Sequence, residues 1–213
     1  MKTFAEFNNP KTIPQVFIIE SLRFEDEDDG TLEGKVLADV LHMCGKKPIY
    51  YYFRTEKELI ALAQKFDESG YRYLHLSCHG NNKSVASTLD SIGFERLSNI
   101  FRGKLKRRRL FASACEVGTE HFSDLIGKAN PGMHSIAAPV DSIHFDVAVA
   151  FWSAFYVKAF RTDHRAMKAA HIASILRSLS ELFGTRVHWS RADSDDNWTH
   201  EVIGTKPLSN KRG

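Results

Sequence analysis

The chain is poor in the residues that stiffen or staple small folds. It has three cysteines and six prolines in 213 residues. Cys44, Cys78 and Cys115 are too few and too scattered for a disulfide framework, and an odd number leaves at least one thiol free. No long apolar run is present. The longest, residues 147–160, is interrupted by Ser153 and Lys158 and falls short of the ~20 residues a membrane span needs. The opening MKTFAEFNNPKTIPQ lacks the apolar core of a secretory signal, so the expected setting is a reducing cytoplasm. Charge of one sign is missing too. Twenty-nine Lys and Arg face 26 Asp and Glu, a net +3, which singles out neither nucleic acid nor an anionic membrane as partner. There is no internal repeat, no low-complexity tract and no phosphate-gripping glycine loop.

What is present fits an ordinary globular chain: 43% hydrophobic and 26% charged residues. The length suits one domain spanning 1–213, with a core from about 16 to 204 and terminal extensions at 1–15 and 205–213.

Strands and helices alternate along that core. VFIIESL (16–22) is an apolar, β-branched run without alternation, as expected of a strand covered on both faces. TLEGKVLADVLHMCG places Leu32, Val36, Val40 and Leu41 on one helical face and ends at Gly45. IYYYF after Pro48 reads as a strand. TEKELIALAQKFDESG carries a capping box in Thr55 and Glu58 and stops at Gly70. YRYLHLSC (71–78) is a third strand, ending at His79-Gly80. The polar stretch 81–103 suggests a short hairpin and a one- or two-turn helix at 94–101. RRLFASAC (108–115) is a fourth strand followed by a helix from Thr119, and MHSIAAP (133–139) a fifth. Helices are expected at 145–160 and 163–183, the second stopped by Gly184, before a last strand at 198–204. This order predicts an α/β sandwich around a mostly parallel sheet of about six strands. In such sheets chemistry gathers beyond the carboxyl ends of the strands.

Two of those ends carry reactive side chains. Strand three runs into Ser77-Cys78-His79-Gly80 and strand four into Ser113-Ala114-Cys115-Glu116. A thiol beside an imidazole can serve as a nucleophile, because nearby positive charge or a helix N-terminus favours the thiolate. His79 can then act as general acid and base. The amides of Gly80, which lacks a Cβ, and of Cys115 are candidates for an oxyanion hole.

LHLSCHG and LFASACEVG, in this strand context, resemble the caspase-fold cysteine peptidases of clan CD. Within these the chain is most similar to the bacterial CHAT branch, and WTHEVIG looks like that branch's last core strand. The resemblance runs from about Val16 to Gly204. It implies a three-layer caspase-like sandwich and a His79–Cys115 dyad that cleaves a protein substrate without a cofactor. It further implies a specificity pocket formed by Glu20 to Arg23, Ser77 and Ser113, with Asp141 as another candidate lining group. Relatives that cut after Lys or Arg commonly carry an Asp where this chain has Ser113. Glu20 facing the pocket would suit a basic residue and Arg23 an acidic one; an uncharged one is equally open. By analogy the chain is a regulated protease of a defence or cell-death system, its substrate encoded nearby, with an activating partner. The competing expectation is a caspase-like interaction module that does not use its dyad.

Other features have plain readings. KLKRRR (104–109) and EDEDDG (25–30) read as solvated loops rather than as an anion-docking patch and a Ca²⁺ site. His75 and Cys78 belong on opposite faces of their strand, which argues against zinc, and no metal is expected. His121 reads as a surface helix position and Cys44 as core filler. Phe151, Trp152, Phe155 and Tyr156 either pack under the sheet or face a partner chain.

Overall fold

A computed structural model describes residues 12–30 and 32–205. The expected terminal extensions and Thr31 lie largely or wholly outside this range. The first strand, β1 (Ile13–Ser21), pairs in parallel with β2 (Ile49–Tyr52) on one side and β3 (Tyr71–Gly80) on the other. Next to β3 come β6 (Arg109–Ser113) and β7 (Ser135–Pro139), also parallel. Two antiparallel strands, β8 (Val187–Ala192) and β9 (Trp198–Ile203), complete the order β2-β1-β3-β6-β7-β8-β9. A hairpin of β4 (Ser84–Ala86) and β5 (Ser91–Gly93) extends from the tip of β3.

The sheet has an apolar cluster on each face. Phe17 and Ile19 of β1, with Leu74, Leu76, Leu110, Ala112 and Ile136, pack against α3 (Glu56–Ser69), α4 (Phe94–Ile100) and α5 (Glu120–Ala129). Val16 and Ile18, with Tyr73, Phe111 and Ala137, pack against α2 (Glu33–Met43), α6 (Phe145–Thr162) and α7 (Ala169–Phe183). Successive strand residues thus serve opposite faces, which is why the central strands are apolar throughout. Phe151, Trp152, Phe155 and Tyr156 are fully buried under the sheet.

Several expectations need correction. Among the described residues the sheet has nine strands, seven along its main path and two in the hairpin, more than the roughly six expected of the same mostly parallel sandwich. β8 escapes a reading of the sequence because His188 and Ser190 sit in its buried stretch. They are accommodated by polar contacts: Ser190 Oγ bonds Ser123 Oγ at 2.9 Å, and the His188 ring stacks on His200. The buried face of α2 is Glu33, Gly34, Leu37, Ala38 and Leu41, while Val36 points outward, 48% exposed. The last long helix starts at Ala169 rather than 163. The Asp163 carboxylate takes the amides of Arg165 and Ala166 and holds that stretch in a turn. EDEDDG is not a loop throughout: Phe24–Asp28 forms the short helix α1. Among the described residues no helix is long and apolar enough to cross a membrane.

Candidate active site

β3 and β6 are parallel neighbours, and their last paired residues are Ser77 and Ser113. His79 and Cys115 each lie two residues further on, so matched register carries both to one edge of the sheet. Gly80 abuts the neighbouring tip. A Cβ there would lie 2.8 Å from Val117 Cγ1 and 3.0 Å from the Cys115 carbonyl oxygen, so any other residue would prise the two tips apart. After Cys115 the chain turns sharply, with Glu116 in the left-handed region at φ 60°, uncommon for a residue with a side chain. Hydrogen bonds from Glu116 N to the Asp141 carbonyl and from Gly118 N to the Pro139 carbonyl stitch this turn to the end of β7. Thr119 then caps α5 by accepting from Phe122 N.

His79 and Cys115 line one cavity of about 270 Å³ together with Glu33, Ser113, Ile143 and Phe145. The Cys115 sulfur lies 3.4 Å from Ile143 N, which donates to it, and 3.6 Å from the Ile143 carbonyl. The imidazole of His79 stands edge-on to Phe145, with ring centres 5.4 Å apart. Its Nε2 meets Asp26 Oδ2 of α1 at 2.6 Å. A carboxylate on Nε2 favours the tautomer with the proton there, which leaves Nδ1 as the acceptor. α1 is itself anchored, because Glu27 pairs with Arg54 at 2.5 Å and accepts from Tyr52.

The cavity contains a buried carboxylate. Glu33, at the start of α2 and 3% exposed, accepts from Ser77 Oγ at 3.0 Å and from Ser113 Oγ at 2.9 Å through Oε2. Its Oε1 has no hydrogen-bond partner and stands 3.5 Å from His75 Nε2. Cys78, also lining the cavity, has its thiol pushed up by burial and, less, by the Glu33 charge.

The pocket residues expected from the sequence are partly redistributed. Ser113 lines the cavity, and Ser77 touches it only through Glu33. Glu20 does not reach it. Fully buried beneath α2, Glu20 accepts from Gly34 N at 2.6 Å and from Tyr50 Oη at 2.8 Å and so caps that helix. Burial raises its pKa to about 7. Arg23 is exposed at the start of α1. Asp141 is held by Arg186 through two bonds of 2.7 and 2.6 Å, and its neighbour Ser142 lines the cavity instead. His121 is exposed on α5, and Cys44 is half-buried.

Asp26 and Glu33 had gone unrecognised. For Glu33 a signal existed: Glu33, Leu37 and Leu41 recur every four residues, placing an acid on the inward stripe of an amphipathic helix. For Asp26 there was none, since nothing distinguishes it from the four other acids of EDEDDG.

No family model matches the chain, and no curated protein matches it. Solved structures do. A secreted C11 cysteine protease from Bacteroides thetaiotaomicron, iotapain, superposes with a TM-score of 0.52 at 9% identity, over 85% of this chain and 67% of that one. Caspase-1 from Spodoptera frugiperda does so with a TM-score of 0.55 at 13% identity, over 93% of this chain and 92% of that one. At these identities the likeness is one of fold, and it shows that the chain has the caspase-like sandwich.

Proposed function

We propose that the chain is a cysteine endopeptidase whose dyad is His79 and Cys115. One observation carries this reading: a thiol and an imidazole gripped by a carboxylate line a single cavity at the tips of adjacent parallel strands. In the reaction His79 Nδ1 takes the Cys115 proton and the thiolate attacks the scissile carbonyl. The oxyanion is held by the Gly80 and Cys115 amides. The imidazolium protonates the leaving amine, and the imidazole then activates the water that hydrolyses the thioester. Substrate side chains enter beside the dyad and meet the Glu33 carboxylate, so the residue before the cut is Lys or Arg. The biological setting we infer is a cytoplasmic, regulated bacterial protease of the CHAT type. It would act in defence or cell death on a protein encoded nearby, once an activating partner binds.

The test is substrate profiling. Wild type, Cys115→Ala, His79→Ala and Glu33→Gln are incubated with a diverse peptide library and with the products of neighbouring genes, and new termini are mapped by mass spectrometry. Wild type should cut after Lys or Arg. Both dyad variants should be silent, and Glu33→Gln should lose most of its preference for basic residues. Cleavage that persists without Cys115 sinks the proposal. Slow, equal alkylation of Cys115, Cys44 and Cys78 together with no cleavage points to a non-catalytic interaction module instead.

A further inference from the structure

A second cavity lies at the opposite pole of the sheet, where β3 and β6 begin. Arg72 is the second residue of β3 and Arg109 the first of β6, and the pairing of Tyr73 with Arg109 brings them side by side. With Arg107, His134 and Lys168 they line a cavity of about 360 Å³, completed by Thr12, Ala166 and Met167. Among the described residues that line it there is no carboxylate.

The arginines are positioned by neutral oxygens rather than neutralised by acids. Arg109 donates to Ser135 Oγ at 2.6 Å. Arg72 donates to Thr12 Oγ1 at 2.8 Å, to the Thr12 carbonyl at 2.6 Å and to the Arg165 carbonyl at 2.9 Å. The contrast with Arg108 is instructive: that side chain turns to the other face and pairs with Asp67 at 2.8 Å. Asp163 lies nearby and is felt by Lys168, but its carboxylate is engaged by the amides of Arg165 and Ala166. Burial lowers Arg109 to about 10; Tyr73 opposes this and the Arg72 charge adds to it. Desolvation and then the charges of Arg109, Arg72 and Arg107 hold His134 below its ordinary value. α7, fifteen residues long, starts immediately after Lys168 and adds the positive end of its dipole.

We propose that this cavity binds a small molecule bearing two or more phosphate groups. Guanidinium forks match phosphate oxygens in pairs, and several converging cations suit a polyanion better than a single carboxylate. The volume fits a small ligand, within the ~300–1,000 Å³ usual for such pockets. Arg72 and His79 are seven residues apart on one strand, about 23 Å at ~3.3 Å per residue. The site is therefore separate from the dyad, and the inference stands whether or not the chain cleaves peptides.

The experiment is calorimetric titration of the full chain with inorganic pyrophosphate, ADP and adenosine at two NaCl concentrations, with thermal melts in parallel. Pyrophosphate and ADP should bind saturably at one per chain, raise Tm, and weaken as salt rises; adenosine should not bind. Equal affinity for pyrophosphate and ADP identifies the phosphates alone as the ligand, whereas tighter ADP binding identifies a nucleotide. Arg72→Gln and Arg109→Gln should each weaken binding by about tenfold, the loss of one charge-assisted contact. Cys115→Ala should bind like wild type. Because Arg109 is half-buried, the exposed pair Arg107→Gln and Lys168→Gln provides a second test in a variant whose fold does not depend on the change. Absence of saturable binding by both phosphate probes, or binding undiminished in the folded variants, overturns the proposal.

Discussion

At the scale of single residues, Asp26 defines how the imidazole can work. Its 2.6 Å contact with Nε2 orients the ring and favours the tautomer with the proton on that nitrogen, which in the proposed reaction makes Asp26 a positioning residue rather than one that touches substrate. Asp26→Asn is expected to lower kcat by roughly 10- to 100-fold, part of the ~10²–10⁴ of general acid–base catalysis, while KM changes little. Asp26→Glu should recover part of the loss, whereas a variant that merely loosened the fold would lower Tm and would not be rescued by Glu. The meeting of His79 and Cys115 at one sheet edge was legible in the sequence because each follows a recognisable strand, and strand ends are where α/β sheets gather chemistry. Asp26 and Glu33 were not, because their importance comes from elements folding over those ends, and neither stands near His79 or Cys115 in the chain.

At the scale of elements, the turn after β6 is set by how closely it approaches β7. A Cβ on Gly118 would lie 2.4 Å from the Ala138 carbonyl oxygen and 2.6 Å from that of Pro139. Those are backbone atoms of a central strand and cannot step aside. Gly118→Ala should therefore destabilise the protein by about 1–3 kcal/mol, the range of overpacking, and displace Cys115 with the turn. Urea unfolding measures the first effect and the alkylation rate of Cys115 the second; a variant with wild-type values in both would show that the turn has slack. Most elements were readable from local signals. The capping box of Thr55 and Glu58 marked α3, and it is present with both reciprocal bonds. β8 was not readable, since its polar interior residues depend on partners in α5 and β9 for their hydrogen bonds. The rotated face of α2 has a related cause. The stripe through Val36 and Val40 follows hydrophobicity alone, whereas the helix turns inward the face bearing Gly34, whose amide meets Glu20.

At the scale of the whole molecule, the buried carboxyl of Glu20 links stability to pH. Its pKa rises from 4.5 to about 7, chiefly through burial. Between those values the folded chain keeps a proton that the unfolded chain has released, so this group's contribution to stability falls as pH rises through the interval and levels off above it. The difference amounts to the order of 3 kcal/mol. Glu20→Gln keeps an oxygen for the Gly34 amide and removes the titration. Subtracting its urea-derived stability from that of wild type should give a curve that declines from about pH 4.5 to 7, and a flat difference would refute the assignment. The fold class was legible at this scale because alternating strands and helices permit few arrangements. The count of strands was not, because antiparallel edge pieces need no helix between them to announce their presence.

The strands that lead to His79 and Cys115 lie inside the sheet, flanked by β1 and β7 and roofed by helices above and below. Fraying at the rims leaves such inner rails untouched. The two strand ends that set His79 and Cys115 at one edge are therefore as durable as the native state itself, and in the proposed enzyme any adjustment would fall to the lighter pieces that hang from the rails: α1 with its carboxylate, and the loop that brings Ile143 to the thiol.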